Sequence, residues 1–540
     1  MHCLMGFALQ AGLAVLIATS GHSVPIRAQE PNRRELLQAV EERLKQTIQT
    51  AGPSVAAVVV SRSEHYPRVP GDEVPGRLGG FDRKEFLRSG EANLLRAQLA
   101  QSLDLSDIRT VADHSYAGGV VIDPSGLVLT PYHVIDGATK VYVYLPGGFG
   151  SYADIHAADA RSDLAVLKLL TTPESLRAAH AVVGSTLGVM GDRLLPPLRA
   201  IRFADVVLRP GNGKPATVFP GKLCVLLANP YSSTFGFDRP SASFGSISNI
   251  RSRLSRPPGR AEDPASRYTE YGPLLEFDVR LNAGMSGGIL LNLDGEMIGL
   301  TNATAVAWGS ELGPGYAVPT DSHFLRIVDV LKRGGEVEYG FLGVVKDRIR
   351  PGIVIERTTP FGPAEQAGIQ AGDEIVMIDG VPVETFDDLL LHVGSSLAGS
   401  KVRVSVSRLG RIRDFEVTLA KYRNEQPFIA SARPKPVFGL RVDYTSILAQ
   451  QQPLVVPPGA AAVRIPPGVW VREVLPDTPA AARFKGLGDT PSRWVITHVD
   501  DTPVSTPAEF YKAARGREKL KLSLIDPGEG TARPREIILP

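Results

Sequence analysis

The apolar positions along the chain change their spacing near residue 54, from a helical pattern to a long series of strands. Residues 31–49 place charged residues between apolar side chains at helical intervals, which predicts a helix. Those apolar positions are Leu36, Leu37, Val40, Leu44 and Ile48. Residues 54–61 (SVAAVVVS) have the composition of a buried strand. From Gly118 to about Asn302, short apolar runs alternate with turn residues and predict an all-β barrel or sandwich. A helical segment, SHFLRIVDVLKRG, closes this block near Gly334.

Three segments precede or interrupt this pattern. Residues 63–112 have no sustained period and predict an inserted loop, and residues 251–270 form a polar, Arg-rich loop. Residues 4–18 are an uncharged apolar stretch, followed by small and polar residues up to Ala28. This predicts a signal peptide over residues 1–28 and an exported protein. No Lys or Arg precedes the apolar stretch, so an uncleaved membrane anchor is the alternative.

The C-terminal part of the chain contains an internal repeat. Residues 351–383 (PGIVIERTTPFGPAEQAGIQAGDEIVMIDGVPV) correspond to residues 467–504 (PGVWVREVLPDTPAAARFKGLGDTPSRWVITHVDDTPV), which carry a few extra residues. A polar, Pro-containing stretch between the two copies has the composition of a linker. After the signal, the chain therefore divides into an N-terminal domain, a first repeat, a linker and a second repeat, with predicted bounds 29–336, 337–421, 422–434 and 435–540.

The charge and cysteine content exclude several classes of function. The 540 residues include 59 Lys and Arg and 57 Asp and Glu, and a net charge of +2 gives no argument for nucleic acid as a partner. Of the two cysteines, only Cys224 remains after signal removal, so no intramolecular disulfide is expected and Cys224 is predicted to be a buried apolar residue. No Cys and His cluster has metal-ligand spacing, so neither a metal nor an organic cofactor is predicted.

Three short segments carry the residue types of nucleophilic catalysis. His133 lies in TPYHV, Asp163 in SDLAVLK and Ser286 in NAGMSGG. Each segment alone has a structural explanation, but together they supply a base, an orienting carboxylate and a nucleophile in the chain order of chymotrypsin-like double barrels. The neighbouring glycines allow the backbone amides of Gly284 and Ser286 to bind an oxyanion, and the predicted oxyanion hole also includes the amide of Met285.

These segments resemble the HtrA (Deg) family of exported serine proteases. The resemblance covers about residues 31–540 and rests on DPSGLVLTPYHVIDGA, ADARSDLAVLKL, LNAGMSGGILLNLDGEMIGL and the helical segment after them. It implies a mainly β fold, in which a chymotrypsin-like double β-barrel protease domain precedes two PDZ domains. It also implies that His133 is the general base, Asp163 its orienting residue and Ser286 the nucleophile. Substrates would be unfolded or misfolded polypeptides (protein quality control), the location the periplasm, and the assembly a homo-oligomer, a trimer or a multiple of it.

Two residues near the nucleophile depart from the family pattern. Met285 replaces the Asn that usually precedes the nucleophile, so a polar loop contact is expected to be lost. Arg280 stands where the family usually has a small residue near the wall of the primary specificity pocket. One hypothesis is that Arg280 narrows this pocket or favours an acidic side chain before the cut. The other is that Arg280 points to solvent.

The two repeats resemble PDZ domains. In the first, the resemblance implies that backbone amides of the loop Gly340, Phe341, Leu342 and Gly343 bind the terminal carboxylate of a peptide, while the next strand edge pairs with that peptide. In the second, residues 438–440 (FGL) are a shorter match to the same loop. The alternative for either repeat is a spacer or an assembly surface.

The leading prediction is an exported serine endopeptidase whose PDZ domains bind substrate or regulatory C-termini. One alternative is a chaperone or peptide-binding scaffold with an idle catalytic site, for which Met285 and Arg280 are the only support. The other is a sensor protease that cuts one signalling partner once the first PDZ domain binds an exposed C-terminus.

Overall fold

A computed structural model describes residues 33–62, 114–146, 149–172, 197–208, 215–229, 239–251, 273–282, 284–302, 314–424, 427–451, 465–487, 491–529 and 534–540. The predicted signal peptide, the predicted insertion at 63–112 and the Arg-rich loop after residue 251 lie outside these ranges. Helix α1 (Arg33–Ala51) begins the described chain, and short 3-10 helices lie at Gly52–Ser54, Pro491–Arg493 and Pro527–Glu529. Within these ranges, every helix is too short or too polar to cross a lipid bilayer.

The chain divides into two compact units, Met1–Arg43 and Leu44–Pro540. In the first unit, the part of α1 up to Arg43 exposes three apolar side chains, those of Leu36, Leu37 and Val40. The second unit contains two β-barrels and the two repeats, described below in chain order.

The first barrel is built from six antiparallel strands. Their pairing order is β5-β4-β1-β2-β3-β6, and β5 also pairs with β6 to close the barrel. All seven residues of the first strand are buried, which explains why the six before Ser61 are apolar without interruption. Val58 and its alternate neighbours line the barrel interior, whereas Val55 packs with residues of the second barrel. The strands are β1 (Val55–Ser61), β2 (His114–Asp123), β3 (Leu127–Pro131), β4 (Lys140–Leu145), β5 (Phe149–Asp159) and β6 (Leu164–Leu169).

The second barrel is also closed by six strands, in the order β10-β11-β12-β9-β8-β7. Its interior contains Cys224, as the sequence predicts, together with Phe277 and Met285. Helix α2 (Tyr132–Ile135) belongs to the first barrel, and helix α3 (Ser322–Lys332) follows the second. The strands are β7 (Leu223–Ala228), β8 (Ser241–Arg251), β9 (Leu274–Phe277), β10 (Ile289–Leu291), β11 (Met297–Thr301) and β12 (Gly315–Pro319). These two barrels confirm the predicted mainly β, chymotrypsin-like double-barrel fold.

The first repeat packs short sheets and two helices around one apolar core, which includes Leu342, Leu389 and Val404. Its longer helix starts at a capping box, in which Thr385 and Asp388 satisfy each other's backbone amides. The strands are β13 (Gly340–Phe341), β14 (Val344–Lys346), β15 (Ile355–Thr358), β16 (Glu374–Ile378), β17 (Val381–Pro382), β18 (Lys401–Arg408), β19 (Arg411–Thr418) and β20 (Ala420–Lys421), and the helices are α4 (Pro363–Gln366) and α5 (Phe386–Gly394).

The second repeat has its own core, with Phe484, Trp494 and Phe510 fully buried. Its succession β23-α7-β24-β25-α8-β26-β27 matches β15-α4-β16-β17-α5-β18-β19 of the first repeat. The elements are β22 (Leu440–Tyr444), α6 (Ser446–Gln451), β23 (Val469–Val474), α7 (Pro479–Lys485), β24 (Val495–Val499), β25 (Thr502–Pro503), α8 (Pro507–Ala514), β26 (Leu520–Ile525) and β27 (Arg535–Leu539).

The segment predicted as a linker, 422–434, also takes part in the first barrel. Its strand β21 (Phe428–Ala430) pairs antiparallel with β5. Beside this pair, the Ala160 N–H donates a hydrogen bond to the Pro427 carbonyl at 3.1 Å. The connection between the repeats therefore adds a strand to the barrel next to the turn that leads to Asp163.

A buried charge cluster joins the first repeat to the residues before it and to the second repeat. The Lys421 ammonium lies 2.6 Å from Glu336, 3.2 Å from Glu338 and 3.0 Å from Asp443. The Arg472 guanidinium lies 3.0 Å from Glu336 and 2.8 Å from Asp443. Only 5% of the Lys421 side chain is exposed, so its positive charge is stabilised by these carboxylates and not by water.

Candidate active site

His133 lies at the point where β3 gives way to helix α2. Its backbone N–H donates to the Asp163 carboxylate at 2.9 Å. Its ring Nδ1 lies 2.8 Å from Oδ2 of Asp163, and Nε2 lies 3.1 Å from Oγ of Ser286. The structure thus brings the three side chains named from the sequence into one hydrogen-bonded line. With Nδ1–H donating to the carboxylate, Nε2 is the nitrogen that accepts from the Ser286 hydroxyl.

Asp163 ends a tight turn between β5 and β6. Its φ of +55° lies in the left-handed region, which Asp tolerates better than most residues. The Ser162 N–H donates to the Asp159 carboxylate at 2.9 Å, and the Tyr339 hydroxyl donates to the same carboxylate. Burial raises the pKa of Asp159 above its usual value, against these hydrogen bonds. The turn is therefore stabilised from within by Ser162 and from outside by Tyr339, which directly precedes the loop Gly340–Gly343.

Asn302 is a residue of this site that sequence reasoning missed. Its side-chain Nδ2 donates to Oδ2 of Asp163 at 2.9 Å, and both residues are buried. Asn302 follows the last residue of β11, and its backbone N–H donates to the Tyr316 carbonyl at 2.9 Å. A polar residue directly after a fully buried strand is the available signal, but it does not say which partner 139 residues away the side chain meets.

The backbone around Ser286 packs directly on strand β2. The Gly118 N–H donates to the Ser286 carbonyl at 2.6 Å. A Cβ at Gly118 would lie 2.7 Å from the carbonyl carbon of Gly287, and one at Gly287 would meet the Gly118 carbonyl. Both positions therefore need glycine for this close approach, and Gly287 also has a φ of +78°. The contact fixes the Ser286 loop of the second barrel against the first barrel, which carries His133.

The turn before Ser286 bears on the predicted oxyanion hole. Gly284 has a φ of +85°, and the Met285 N–H donates to the Asn282 carbonyl at 3.1 Å. The Met285 amide was predicted to be one of the oxyanion donors, but this bond already uses it to close the turn. The oxyanion hole stays a prediction, for which Gly284 and Ser286 are the other two amides.

The Met285 side chain packs among apolar residues, where an Asn at this position would offer a polar group. It is buried in the core of the second barrel, and its sulfur accepts a hydrogen bond from the Asn282 N–H at 3.1 Å. Arg280 lies three residues after the end of strand β9 and is exposed. Its predicted influence on the specificity pocket stays a prediction, and its exposure favours the alternative that it points to solvent.

The loop Gly340, Phe341, Leu342 and Gly343 borders a cavity of about 350 Å³ between strand β14 and helix α5. The Gly340 N–H donates to the Ser396 carbonyl at 2.8 Å, so this amide is already used within the domain. A Cβ at Gly340 would lie 2.8 Å from the same carbonyl, which makes glycine necessary for the loop to lie this close to α5.

No group of three His, Cys, Asp or Glu side chains lies close enough to hold a metal ion within the part of the chain that the structure describes. Cys224 is buried away from this site, and burial raises the pKa of its thiol to about 12.

Two family models match the chain. A trypsin-like peptidase domain matches residues 117–300, and a PDZ domain matches residues 340–419. The first match contains all three side chains of the hydrogen-bonded line. The second covers the first repeat alone, so the prediction of a second PDZ domain over 435–540 stays a prediction.

Curated proteins similar to this chain are described as probable periplasmic serine endoproteases, DegP-like. One from Pseudomonas fluorescens is 27% identical over 421 residues, which cover 75% of each chain. One from Ectopseudomonas mendocina is 28% identical over 418 residues, or 74% of each chain. Among solved structures, the HtrA-type protease AlgW with a decapeptide matches at 22% identity and a TM-score of 0.44, covering 71% of this chain and 99% of that one.

Proposed function

We propose that this chain, a DegP-like serine endoprotease with a trypsin-like peptidase domain and a PDZ domain, uses His133, Asp163 and Ser286 to hydrolyse peptide bonds of unfolded or misfolded proteins. The observation that carries the proposal is the hydrogen-bonded line from the Ser286 hydroxyl through the His133 ring to the Asp163 carboxylate.

In the proposed reaction, His133 is the base and Ser286 the nucleophile, and the two side chains are already within hydrogen-bond distance. Nε2 of His133 takes the hydroxyl proton as Oγ of Ser286 attacks the peptide carbonyl carbon. The buried Asp163 carboxylate keeps Nδ1 protonated and stabilises the imidazolium that forms. The imidazolium then protonates the leaving amine, and water hydrolyses the acyl-enzyme with His133 again as the base.

The proposed oxyanion hole consists of the backbone amides of Gly284 and Ser286. Amides fixed in place stabilise the negative charge of the tetrahedral intermediate without reorganising during the reaction. The left-handed φ of Gly284 and the packing of Gly118 on the Ser286 loop support this assignment, because both hold the loop in one conformation. No step of the reaction uses a metal or an organic cofactor.

We place the protein in the periplasm. The relatives with that location in their names support this placement, as does the export signal predicted over residues 1–28. An uncleaved signal would instead keep the protein attached to the membrane. The breadth of substrates rests on the resemblance to the HtrA family, which also implies a homo-oligomer, a trimer or a multiple of it.

Both repeats are proposed to be PDZ domains, with the first one binding substrate or regulatory C-termini. The matching succession of strands and helices supports the second assignment. The helix that corresponds to α5 also begins with a capping box, formed by Thr506 and Glu509. The proposed bounds are 29–336 for the protease domain, 337–421 and 435–540 for the PDZ domains, and 422–434 for the linker.

A casein cleavage assay tests this function against both alternatives. The protein without residues 1–28 is compared with its Ser286→Ala variant, each with and without a peptide that has a hydrophobic C-terminus. We expect cleavage by the unchanged protein and a loss of about 10⁶ in kcat in the variant. If neither casein nor any candidate partner is cleaved, the idle scaffold is favoured. The intact hydrogen-bonded line gives no support to that alternative. Cleavage of one partner with casein untouched would favour the sensor protease.

A further inference from the structure

We propose that Arg161, on the turn that ends at Asp163, is the cation that binds the terminal carboxylate of a peptide held in the groove of the first PDZ domain. The inference rests on the proposed peptide-binding function of that domain, and it assigns one part of the binding site to the peptidase barrel. The ligand is a polypeptide with a free C-terminal carboxylate and an apolar last side chain.

Two aromatic rings hold the Arg161 guanidinium at one end of the groove. Its central carbon lies 4.3 Å from the centre of the Tyr339 ring and 4.5 Å from that of the Tyr422 ring. Tyr339 directly precedes the carboxylate loop, and Tyr422 follows the last strand of the same domain. Both distances are those of cation–π contacts, and a guanidinium that stacks on aromatic rings can still bind a carboxylate through the N–H groups at the edge of its plane.

Arg161 and the carboxylate loop line the same cavity. Its other walls are Val344 of β14 and the apolar side chains Leu389 and Val393 of α5. Most of the cavity lining is therefore apolar, and Arg161 adds a positive charge near Gly340. This distribution is complementary to a chain end, in which a carboxylate is next to an apolar side chain.

A second polar group of the peptidase domain lines the cavity. This group is the His323 ring, and within the described residues its Nδ1 is buried without a hydrogen-bond partner. Burial lowers the pKa of His323 to about 4, so at pH 7 the ring is neutral and Nδ1 is an acceptor. A peptide end suits this pair because it has a backbone N–H beside its carboxylate. An inorganic phosphate would offer fewer donors to the same acceptor.

Arg161 also takes part in the docking of the barrel on the PDZ domain. Its Nη2 lies 3.6 Å from the position of a Cβ at Gly394, the last residue of α5, where the helix dipole favours a cation. A bound carboxylate and the docked helix would therefore use the same side chain. Because Arg161 is two residues from Asp163, a ligand in the PDZ groove would contact the turn that positions the catalytic carboxylate.

The test is a binding comparison in the full chain without residues 1–28, with Ser286→Ala throughout so that no peptide is cut. The probes are two fluorescein-labelled peptides ending in Ala-Ala-Leu, one with a free carboxylate and one with a C-terminal amide, measured by fluorescence anisotropy. Each is titrated with the Arg161→Met and Arg161→Lys variants, and with Arg348→Met as a control that removes an exposed charge outside the cavity.

We expect Arg161→Met to weaken binding of the carboxylate peptide about 10- to 100-fold and to leave the amide peptide unchanged, because a hydrogen-bonded charge has been removed from one ligand only. Arg161→Lys should recover part of the loss, and Arg348→Met should have no effect. Equal weakening of both peptides would show a role in packing and overturn the proposal, as would unchanged binding of the carboxylate peptide. Binding of neither peptide to any variant would also overturn it, while casein cleavage by the chain with Ser286 intact would still test the proposed function separately.

Discussion

The buried position of Lys421 predicts that its charge matters far more to stability than an equally close ion pair at the surface. Lys421→Met removes the cation that lies within 3.2 Å of three carboxylates, those of Glu336, Glu338 and Asp443. Breaking a buried ion pair by removing one partner costs about 3–5 kcal/mol, because it leaves uncompensated charge in a region of low dielectric. The remaining cation, Arg472, contacts only two of the three carboxylates.

The matched control is Lys401→Met. Lys401 lies 2.7 Å from Glu416, but about two thirds of each side chain is exposed. Both variants remove one positive charge from a close ion pair, but Lys421 is buried and contacts three carboxylates, whereas Lys401 is exposed and contacts Glu416. By calorimetry, a loss of 3–5 kcal/mol would lower Tm by about 6–20 °C for a cooperative unit of about 150–250 residues. The surface variant should shift Tm much less.

The pH dependence of this effect has a definite sign. Burial raises the pKa of Glu338 above its usual 4.5, so its folded form favours the proton. A group of this kind contributes stability at pH values below its unfolded pKa and loses it as the pH rises through the folded pKa. In Lys421→Met, protonation of a carboxylate of the cluster removes a negative charge that no longer has the lysine as its partner. The Tm difference between Lys421→Met and the unchanged protein should therefore narrow as the pH falls from 7 towards 5. Equal Tm shifts for the buried and surface variants, or a gap that widens in acid, would refute this reasoning.

Three further predictions concern the active site and the second barrel. Asn302→Leu removes a hydrogen-bond donor to the Asp163 carboxylate and should lower kcat in casein cleavage about 10- to 100-fold with little change in KM; an unchanged kcat would exclude a positioning role. Gly118→Ala places a Cβ 2.7 Å from the carbonyl carbon of Gly287 and should displace the Ser286 loop. We expect slower labelling of Ser286 by a fluorophosphonate at a temperature at which the variant is still folded, as its Tm shows. Labelling at the normal rate would mean that the loop tolerates the extra methyl group. In the protein without residues 1–28, which lacks Cys3, the thiol of Cys224, with a pKa of about 12, should not react with dithionitrobenzoate at pH 8 until the chain is unfolded, when one equivalent reacts; rapid reaction in the folded protein would contradict its burial.

The elements that the sequence predicts are those with local signals. Strand β1 is recognisable because all its residues are buried and all but the last, Ser61, are apolar, and the glycines beside Ser286 mark a tight loop. The wide spacing of His133, Asp163 and Ser286 becomes informative only because three motifs occur in the order of one known arrangement. Their hydrogen-bonded line agrees with that expectation.

The missed features depend on contacts between residues far apart in the chain. Asn302 has no motif of its own, because its partner is fixed by the way the two barrels pack. Strand β21 has three residues within a polar segment, too few to show a period, and it forms because β5 offers an edge. The presence of Met285 in place of the family's usual Asn predicts the loss of a polar contact. It does not predict that the Met285 side chain packs in the core of the second barrel.

We propose Ser286 as the nucleophile of a peptidase and His133 as the base that activates it. The most direct measurement is labelling of the protein without residues 1–28 by a fluorophosphonate, with the modified residue located by mass spectrometry and casein cleavage followed in the same samples. We predict a label on Ser286 alone, loss of cleavage in proportion to labelling, and neither label nor cleavage in the Ser286→Ala and His133→Ala variants. Casein cleavage that persists in Ser286→Ala, or a label on another residue that tracks the loss of activity, would contradict the account.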